Sequence, residues 1–261
     1  MNTKQFLIGL AVACFASCSV IEDRSACPCW LKVSYEECED MSNDIRFFIW
    51  DEASQIAAGK EDITTGPHMY KTPRGVVNYA AAFDIPDNDV EDMVYTIPDG
   101  KETAKFYAFS QYDITMDTDY VGVSVKPRKQ YAEFTISFIE DISDRYQNMR
   151  CEITSSSAGV NLYTLQAEKG EFSLTTGFDF RLQTKFLLSR QGFDDLTLVV
   201  IDIEKGQKLN EYSLSNILEL NGYDWTSPSL KDASITLSLT RQEAFVEIGD
   251  WEDGGSFEGG L

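Results

Sequence analysis

The chain has 261 residues, of which 43 are acidic and 22 are basic, and its formal net charge is −21. A surface of this sign repels nucleic acid and anionic lipid headgroups, so we expect no nucleic-acid partner. Apolar residues make up 43% of the chain and aromatic residues 12%, which is enough to build cores and excludes a disordered protein. The length suits one large or two ordinary domains.

The N-terminus predicts export and lipid attachment. An apolar run from Phe6 to Ala16 follows the basic residue Lys4 and is too short for a transmembrane helix, which needs about 20 residues. These features indicate a signal peptide over residues 1–17. Small residues directly precede Cys18, as in the lipobox of a bacterial lipoprotein, so acyl chains on the Cys18 thiol are predicted to hold the chain to a membrane. Residues 18–27 are then a tether; an ordinary secretory signal with a chance cysteine is the alternative.

Four cysteines remain after the lipid-bearing residue, and the compartment is expected to be oxidising. The Cys27-Pro28-Cys29 segment has no histidine nearby and no second pair, so no zinc site is predicted. A strand starting at Cys29 would hold it far from Cys38, beyond the Cα separation of about 7 Å that a disulfide allows. We therefore predict that any disulfide joins Cys151 to one of Cys27, Cys29 and Cys38.

Alternation of apolar and polar residues predicts short β-strands along the first half of the chain. These strands lie at residues 30–36, 45–50, 55–58, 76–85, 94–97, 105–112 and 121–125. The strand 45–50 is apolar on both faces and is expected to be covered on both. Residues 59–75 contain several glycine and proline turn signals and are predicted to be loop, including the single histidine, His68.

The second half begins after a basic, proline-bearing break at 126–129, which is the best domain boundary in the sequence. Strands are predicted at residues 132–138, 172–174, 178–188, 196–203, 235–239 and 245–248. Leu214, Ile217 and Leu218 share one face of a short helix, with Ser213 or Ser215 as its N-cap. Residues 155–159 are predicted to be a loop, and residues 204–207 a turn.

Turns recur every 8–12 residues in both halves, which is typical of antiparallel β-sandwiches. The fold class predicted here is all-β, with two tandem sandwiches after the signal peptide. The boundaries are 28–128 for the first domain and 129–251 for the second, and a flexible tail follows at 252–261.

No catalytic motif is present, so no catalytic residue, cofactor or metal is predicted and the chain is not expected to be an enzyme. Asp113, Thr115, Asp117 and Asp119 alternate as in a calcium loop, but the required glycine and distal glutamate are missing. The aromatic strand 106–112 is more simply explained by core packing than by a sugar-binding platform.

Taken together, the chain resembles the FimB-like fimbrial anchor lipoproteins of Bacteroides-type bacteria. The motifs that carry the resemblance are Cys18, Ile21–Asp23, Cys27–Pro28, Leu31–Tyr35, Arg46–Asp51, 106–112, Asp179–Leu182, Leu237–Arg241 and Val246–Trp251. Two departures are a missing tyrosine in the tether and the extra cysteines Cys29 and Cys38. The resemblance implies two transthyretin-like sandwiches, attachment to the outer membrane at the cell surface, and a role in anchoring a fimbria or limiting its length.

The same resemblance suggests how the chain meets its partners, which would be fimbrial stalk or accessory pilins. Subunits of that family are linked by strand exchange, so Phe245, Val246, Ile248 and Trp251 in the last strand are candidate subunit contacts. A plain closing strand with a frayed end is the alternative. The alternative function is a surface glycan-binding lipoprotein, which would expose several tryptophans on one face.

Overall fold

Four β-sheets make up most of the computed structural model, which describes residues 27–38, 41–66, 68–139, 148–241 and 243–249. The predicted signal peptide, Cys18, Trp251 and the tail lie outside the described residues. The fold class is all-β with antiparallel sandwich packing, as the strand alternation predicted.

Among the described residues, ten strands and two 3-10 turns precede residue 130. The strands are β1 Cys29–Ser34, β2 Asp44–Trp50, β3 Gln55–Asp62, β4 His68–Thr72, β5 Gly75–Phe83, β6 Val90–Glu91, β7 Val94–Thr96, β8 Tyr107–Met116, β9 Tyr120–Ser124 and β10 Arg128–Lys129, and the turns are Ile63–Thr65 and Asp87–Asp89. Eight of these strands form a three-stranded sheet in the order β4-β1-β9 and a five-stranded sheet in the order β10-β8-β5-β2-β3, whereas β6 and β7 join a sheet of the second half.

Eight strands and one helix follow in the described part of the second half. They are β11 Tyr131–Phe138, β12 Met149–Asn161, β13 Gln166–Gly177, β14 Thr184–Ser189, β15 Thr197–Asp202, β16 Gln207–Ser213, α1 Leu214–Leu220, β17 Asp232–Leu237 and β18 Ala244–Gly249. One sheet has the order β14-β11-β17-β18, and the other has the order β16-β15-β12-β7-β6, with β13 also paired to β12.

The pairing pattern of the first half recurs in the second. Strand β1 pairs antiparallel with β4 and parallel with β9, and β11 pairs in the same way with β14 and β17. Likewise β2 lies between β3 and β5, and β12 pairs with β13 and β15. The division into two domains at 128/129 stays a prediction, which this repeated topology supports.

Two hydrophobic clusters fill the space between the sheets. One is built by residues of the first half alone, and the other joins the second half to the far face of the five-stranded sheet. Strand β2 belongs to both clusters, because Ile45, Phe47 and Ile49 face the first and Phe48 and Trp50 face the second. The predicted burial of this strand on both faces is therefore confirmed.

A hairpin of the first half completes a sheet of the second. Strand β7 pairs antiparallel with the end of β12, where Thr96, Tyr95 and Val94 lie opposite residues 159–161. This close approach requires a glycine, because a Cβ atom on Gly159 would lie 2.1 Å from the Tyr95 carbonyl oxygen. The β6–β7 hairpin thus connects the two halves through backbone hydrogen bonds.

Three sequence predictions are wrong. Residues 155–159 are not a loop but part of β12, where Ser155 and Ser157 pair with β13 and register shifts accommodate the irregular spacing. The predicted strand 178–188 starts only at Thr184, because Asp179 Oδ1 accepts hydrogen bonds from the N–H groups of Arg181 and Gln183 and closes a turn. His68 lies in β4 rather than in a loop.

The helix prediction is confirmed in detail. Ser213 is the N-cap of α1, and its side-chain oxygen accepts a hydrogen bond from the Asn216 N–H group. Leu214 and Leu218 are buried on the inner face of the helix. Gly222 follows the helix with a φ of 78°, a conformation that favours glycine.

Candidate assembly interface

Strand β18 is an edge strand. Within the described residues it pairs only with β17, in an antiparallel register from Asp232 opposite Gly249 to Leu237 opposite Ala244. A tight turn joins the two strands, with the Ser238 N–H group donating to the Glu243 carbonyl oxygen at 3.0 Å. The two strands predicted at 235–239 and 245–248 are thus present, and the structure pairs them antiparallel.

The register shows which backbone groups of β18 face outward. Hydrogen-bonded and non-hydrogen-bonded pairs alternate along an antiparallel ladder, and Ser238 with Glu243 is a hydrogen-bonded pair. Counting along the ladder, the N–H and C=O groups of Ala244, Val246 and Ile248 point away from β17. These groups form a row that another strand can pair with.

The side chains of the candidate contact residues lie on both faces of β18. Val246 and Ile248 are half-buried and pack against the larger hydrophobic cluster, whereas Phe245 is 62% exposed on the opposite face. A cavity of about 350 Å³ lies beside Ile248, lined also by residues of the segment between α1 and β17. The structure thus brings three of the four predicted contact residues onto one sheet edge, and the fourth, Trp251, is outside the described residues.

The opposite edge of the same sheet is covered. On β14, the Leu187 carbonyl oxygen accepts a hydrogen bond from the Thr103 N–H group at 3.4 Å. The Leu187 N–H group donates to the Glu102 carboxylate at 3.1 Å. A segment of the first half therefore satisfies the backbone of Leu187 on the β14 edge, whereas β18 has no second strand beside it in the part of the chain that the structure describes.

The predicted disulfide is not formed, because all four cysteines of the described chain are free. Cys151 lies on β12 in the larger hydrophobic cluster, whereas Cys29 and Cys38 lie in the cluster of the first half. Their thiols donate instead to carbonyl oxygens, from Cys29 Sγ to Met116 at 3.4 Å and from Cys38 Sγ to Val125 at 3.8 Å. The separation of the two clusters is the physical reason for the error.

Burial raises the pKa of two of these thiols and so lowers their reactivity. It raises the pKa of Cys151 to about 12 and, helped by the nearby Glu37 charge, that of Cys38 to about 11. Both groups are therefore neutral thiols at physiological pH, and they pack as small apolar side chains.

A buried polar network surrounds the single histidine. His68 Nδ1 lies 2.6 Å from a Glu61 carboxylate oxygen, which also accepts a hydrogen bond from the Tyr70 hydroxyl. The Tyr35 and Tyr79 hydroxyls are 2.6 Å apart in the same region. Burial raises the pKa of Tyr35 to about 12 and raises those of Tyr70 and Tyr79 as well, so these hydroxyls stay protonated. The network holds β1, β3, β4 and β5 together and presents no activated nucleophile.

The other sites weighed from the sequence do not assemble. Asp113 lies in β8, and Asp119 forms an ion pair with Arg74 at 2.8 Å. Across the described ranges, no group of three or more His, Cys, Asp and Glu side chains is placed to hold a metal ion. No helix among the described residues is long and apolar enough to cross a membrane.

The tryptophans of the described ranges do not form one exposed face. Trp50 is buried between the two halves of the chain, and Trp225 stacks on Phe134 at 5.8 Å. Of the tryptophans in the described ranges, only Trp30 is exposed, and Trp251 lies outside them. The arrangement expected for a glycan-binding surface is therefore not found in the described part of the chain.

The fold is one shared with fimbrial and adhesin-type proteins, although no protein-family model and no curated protein sequence matches the chain. The fimbrial anchor protein Mfa2 from Porphyromonas gingivalis matches 86% of this chain and 98% of its own, with a TM-score of 0.61 and 14% identity. Candidate polysaccharide-binding proteins from Bacteroides thetaiotaomicron match 86% of this chain and 99% of their own, with a TM-score of 0.60 and 12% identity. A candidate adhesin from Bacteroides ovatus matches 86% of this chain and 94% of its own, with a TM-score of 0.58 and 10% identity. At the level of the fold, these matches confirm the resemblance to fimbrial proteins.

Proposed function

We propose that the chain is a non-enzymatic outer-membrane lipoprotein, exposed at the cell surface, that anchors a fimbria or limits its length. The observation that carries the proposal is the outer edge of β18, which has no strand partner among the described residues and lies in the last described segment of the chain. The predicted lipid on Cys18 supplies attachment, and the likeness to the Mfa2 anchor protein supports a fimbrial context.

Strand addition explains how such an edge would hold a pilin. The outward N–H and C=O groups of Ala244, Val246 and Ile248 can bond to an incoming extended segment, and each hydrogen bond contributes about 0.5–1.5 kcal/mol. Phe245 offers an apolar contact on one face of the added strand, and the cavity beside Ile248, lined mostly by polar residues, lies on the other face. Several such bonds formed together give an association that survives on the cell surface.

The test replaces one residue of the edge in the lipidated full-length chain. Val246→Pro removes an outward N–H group while leaving the bonds of β18 to β17 in place, because proline is tolerated on edge strands. Val246→Ala is the matched control, since it shortens the same side chain and keeps the N–H group. We expect Val246→Pro to weaken pilin capture on the cell surface about tenfold or more and Val246→Ala to retain it.

Two deletions extend the test to the whole C-terminal segment. Removal of residues 252–261 separates the tail from the strand, and removal of residues 244–261 takes away the strand as well. If both truncated chains fold and capture stalk pilin as the wild type does, the C-terminal segment is not the connection.

The lipid attachment has its own test. Cys18→Ala removes the thiol that is predicted to be acylated, so the folded part of the chain should be released from membranes. A Cys18→Ala chain that still partitions fully into the detergent phase would refute attachment at Cys18.

A further inference from the structure

The outer face of the β4-β1-β9 sheet is exposed and combines aromatic, apolar and basic side chains. Five exposed residues define this face, here called the outer sheet face: Trp30, Lys32, Met69, Lys71 and Tyr120. Tyr120 is 64% exposed and Trp30 is 37% exposed. Exposed aromatic side chains beside lysines on one sheet face are unusual for a surface that contacts only water.

The strand register places these side chains in two adjacent rows. Trp30 lies opposite Lys71 on β4 and opposite Tyr120 on β9, so one row reads Lys71, Trp30, Tyr120. Lys32 lies opposite Met69 in the next row, about 7 Å along the strand. Between them in sequence, Leu31 points to the opposite face and is fully buried in the core.

The face differs in charge from the rest of the chain, which has a net charge of −21. Neither Lys32 nor Lys71 has an ion-pair partner among the described residues. Asp119, the residue before Tyr120, is already paired with Arg74 at 2.8 Å. Two uncompensated ammonium groups therefore flank the aromatic pair on an otherwise acidic protein.

The position of this face relative to the predicted lipid is set by the chain itself. Nine Cα–Cα steps separate Cys18 from Cys27, which spans at most about 32 Å when fully extended. Cys27 is followed almost at once by β1, and Trp30 is the second residue of that strand. The row of Lys71, Trp30 and Tyr120 therefore lies at the end of the sheet where the tether enters.

We propose that the outer sheet face rests on the lipid bilayer to which the chain is tethered, and this proposal rests on the proposed lipidation of Cys18. Trp30 and Tyr120 are placed at headgroup depth, where amphipathic aromatic rings are favoured. Lys32 and Lys71 extend to lipid phosphates, because an anionic lipid surface attracts basic side chains close to it. The acidic remainder of the chain is repelled by the same phosphates, so the contact orients the body and directs its other surfaces away from the membrane.

The experiment measures the depth of Trp30 in the lipidated full-length chain. The chain is reconstituted into vesicles of phosphatidylethanolamine and phosphatidylglycerol, with or without bromine on the acyl chains, and flotation confirms attachment. Bromine quenches tryptophan fluorescence only at short range. We expect brominated vesicles to quench the wild type, and the quenched fraction to fall by at least half in Trp30→Phe.

Two further variants separate contact from folding. Trp225→Phe changes a tryptophan that packs in the core and should keep the wild-type quenching. Lys32→Glu combined with Lys71→Glu leaves Trp30 in place but reverses the local charge, so the chain should still float while Trp30 quenching falls. Far-UV circular dichroism verifies that each variant is folded.

The outcomes distinguish this proposal from the proposed function. A chain that floats but shows equal quenching in the wild type and in Trp30→Phe overturns the membrane contact and leaves the anchor role standing. A chain that does not float overturns both. Fluorescence of Trp30 that responds to soluble surface polysaccharide or to purified pilin, and not to brominated lipid, assigns the face to that ligand and also overturns the membrane contact.

Discussion

Lys129 Nζ lies 2.6 Å from Asp232 Oδ1, and this ion pair fastens the segment between the two halves of the chain to the start of β17. The two side chains are only 15% and 8% exposed. The same Asp232 oxygen accepts a hydrogen bond from the Glu133 N–H group at 2.7 Å. Beside it, the buried Gln130 accepts a hydrogen bond from Arg190 at 3.0 Å. The break predicted from the sequence is therefore held in place by buried polar contacts.

Removing the carboxylate of this pair should be costly. Asp232→Ala leaves the Lys129 ammonium buried without its partner and the Glu133 N–H group unsatisfied, so we expect a loss of about 3–5 kcal/mol in the free energy of unfolding. The measurement is urea-induced unfolding at pH 7. Lys185→Met is the control, because it breaks the exposed Lys185–Glu133 pair, which is worth at most about 1 kcal/mol. An equal loss of unfolding free energy in the two variants would show that burial does not set how much an ion pair contributes to stability.

A single methyl group should disturb the contact between the two halves. Gly159→Ala places a Cβ atom against the Tyr95 carbonyl oxygen, so β7 must move away from β12, at a cost of about 1–3 kcal/mol. Amide hydrogen exchange at residues 94–96 should become faster. Gly122→Ala is the matched control, since it lies in a strand with open space around it. Unchanged exchange at 94–96 in Gly159→Ala would contradict the close approach.

The free cysteines predict a simple labelling pattern. In the folded protein at pH 7.5, a maleimide reagent should modify the exposed Cys27 and leave Cys29, Cys38 and Cys151 unmodified. In denaturant without reductant, all four thiols should react, because none is held in a disulfide. Mass spectrometry of the peptides reads both results. A Cys151 peptide that reacts only after reduction would restore the disulfide that the structure lacks.

The buried thiol of Cys151 should make stability fall at alkaline pH. Its pKa is raised to about 12 by burial, so its contribution to stability is complete below the unfolded pKa of about 8.5 and is lost as pH rises toward the folded value. Between pH 9 and 11, the free energy of unfolding of the wild type should fall faster than that of Cys151→Ala, by about 1.4 kcal/mol per pH unit. Cys27→Ala, at an exposed position, should follow the wild type. If the curves of unfolding free energy against pH run parallel for the wild type and Cys151→Ala, the raised pKa of Cys151 is refuted.

Local patterns predicted those elements whose signals lie within a few residues. The alternation of Leu31 and Val33 placed β1 correctly, and the spacing of Leu214 and Leu218 after Ser213 placed the helix and its cap. The same reasoning failed where polar residues are buried by distant partners. Ser155 and Ser157 look like loop residues in the sequence, but both are buried, and β12 continues through them because it pairs there with β13.

The candidate site was predicted only in part. The last strand pair and its position near the end of the chain followed from the alternation of Phe245 to Ile248. Nothing local could show that β14 is covered by Thr103 or that β18 is not, because edge status depends on segments far away in the chain. The outward direction of the Val246 N–H group likewise follows from the register with β17.

The sequence by itself determined the all-β class, the acidic surface and the positions of most strands, because hydrophobic period and turn residues act over short distances. It contains no visible repeat, yet the two halves share one pairing pattern. Only the tertiary structure decided that pattern, the docking of β7 beside Gly159, the separation of Cys151 from the other cysteines, and the exposure of Trp30 beside Tyr120. These features depend on which strands meet, and strand pairing is settled by burial and register summed over the whole chain.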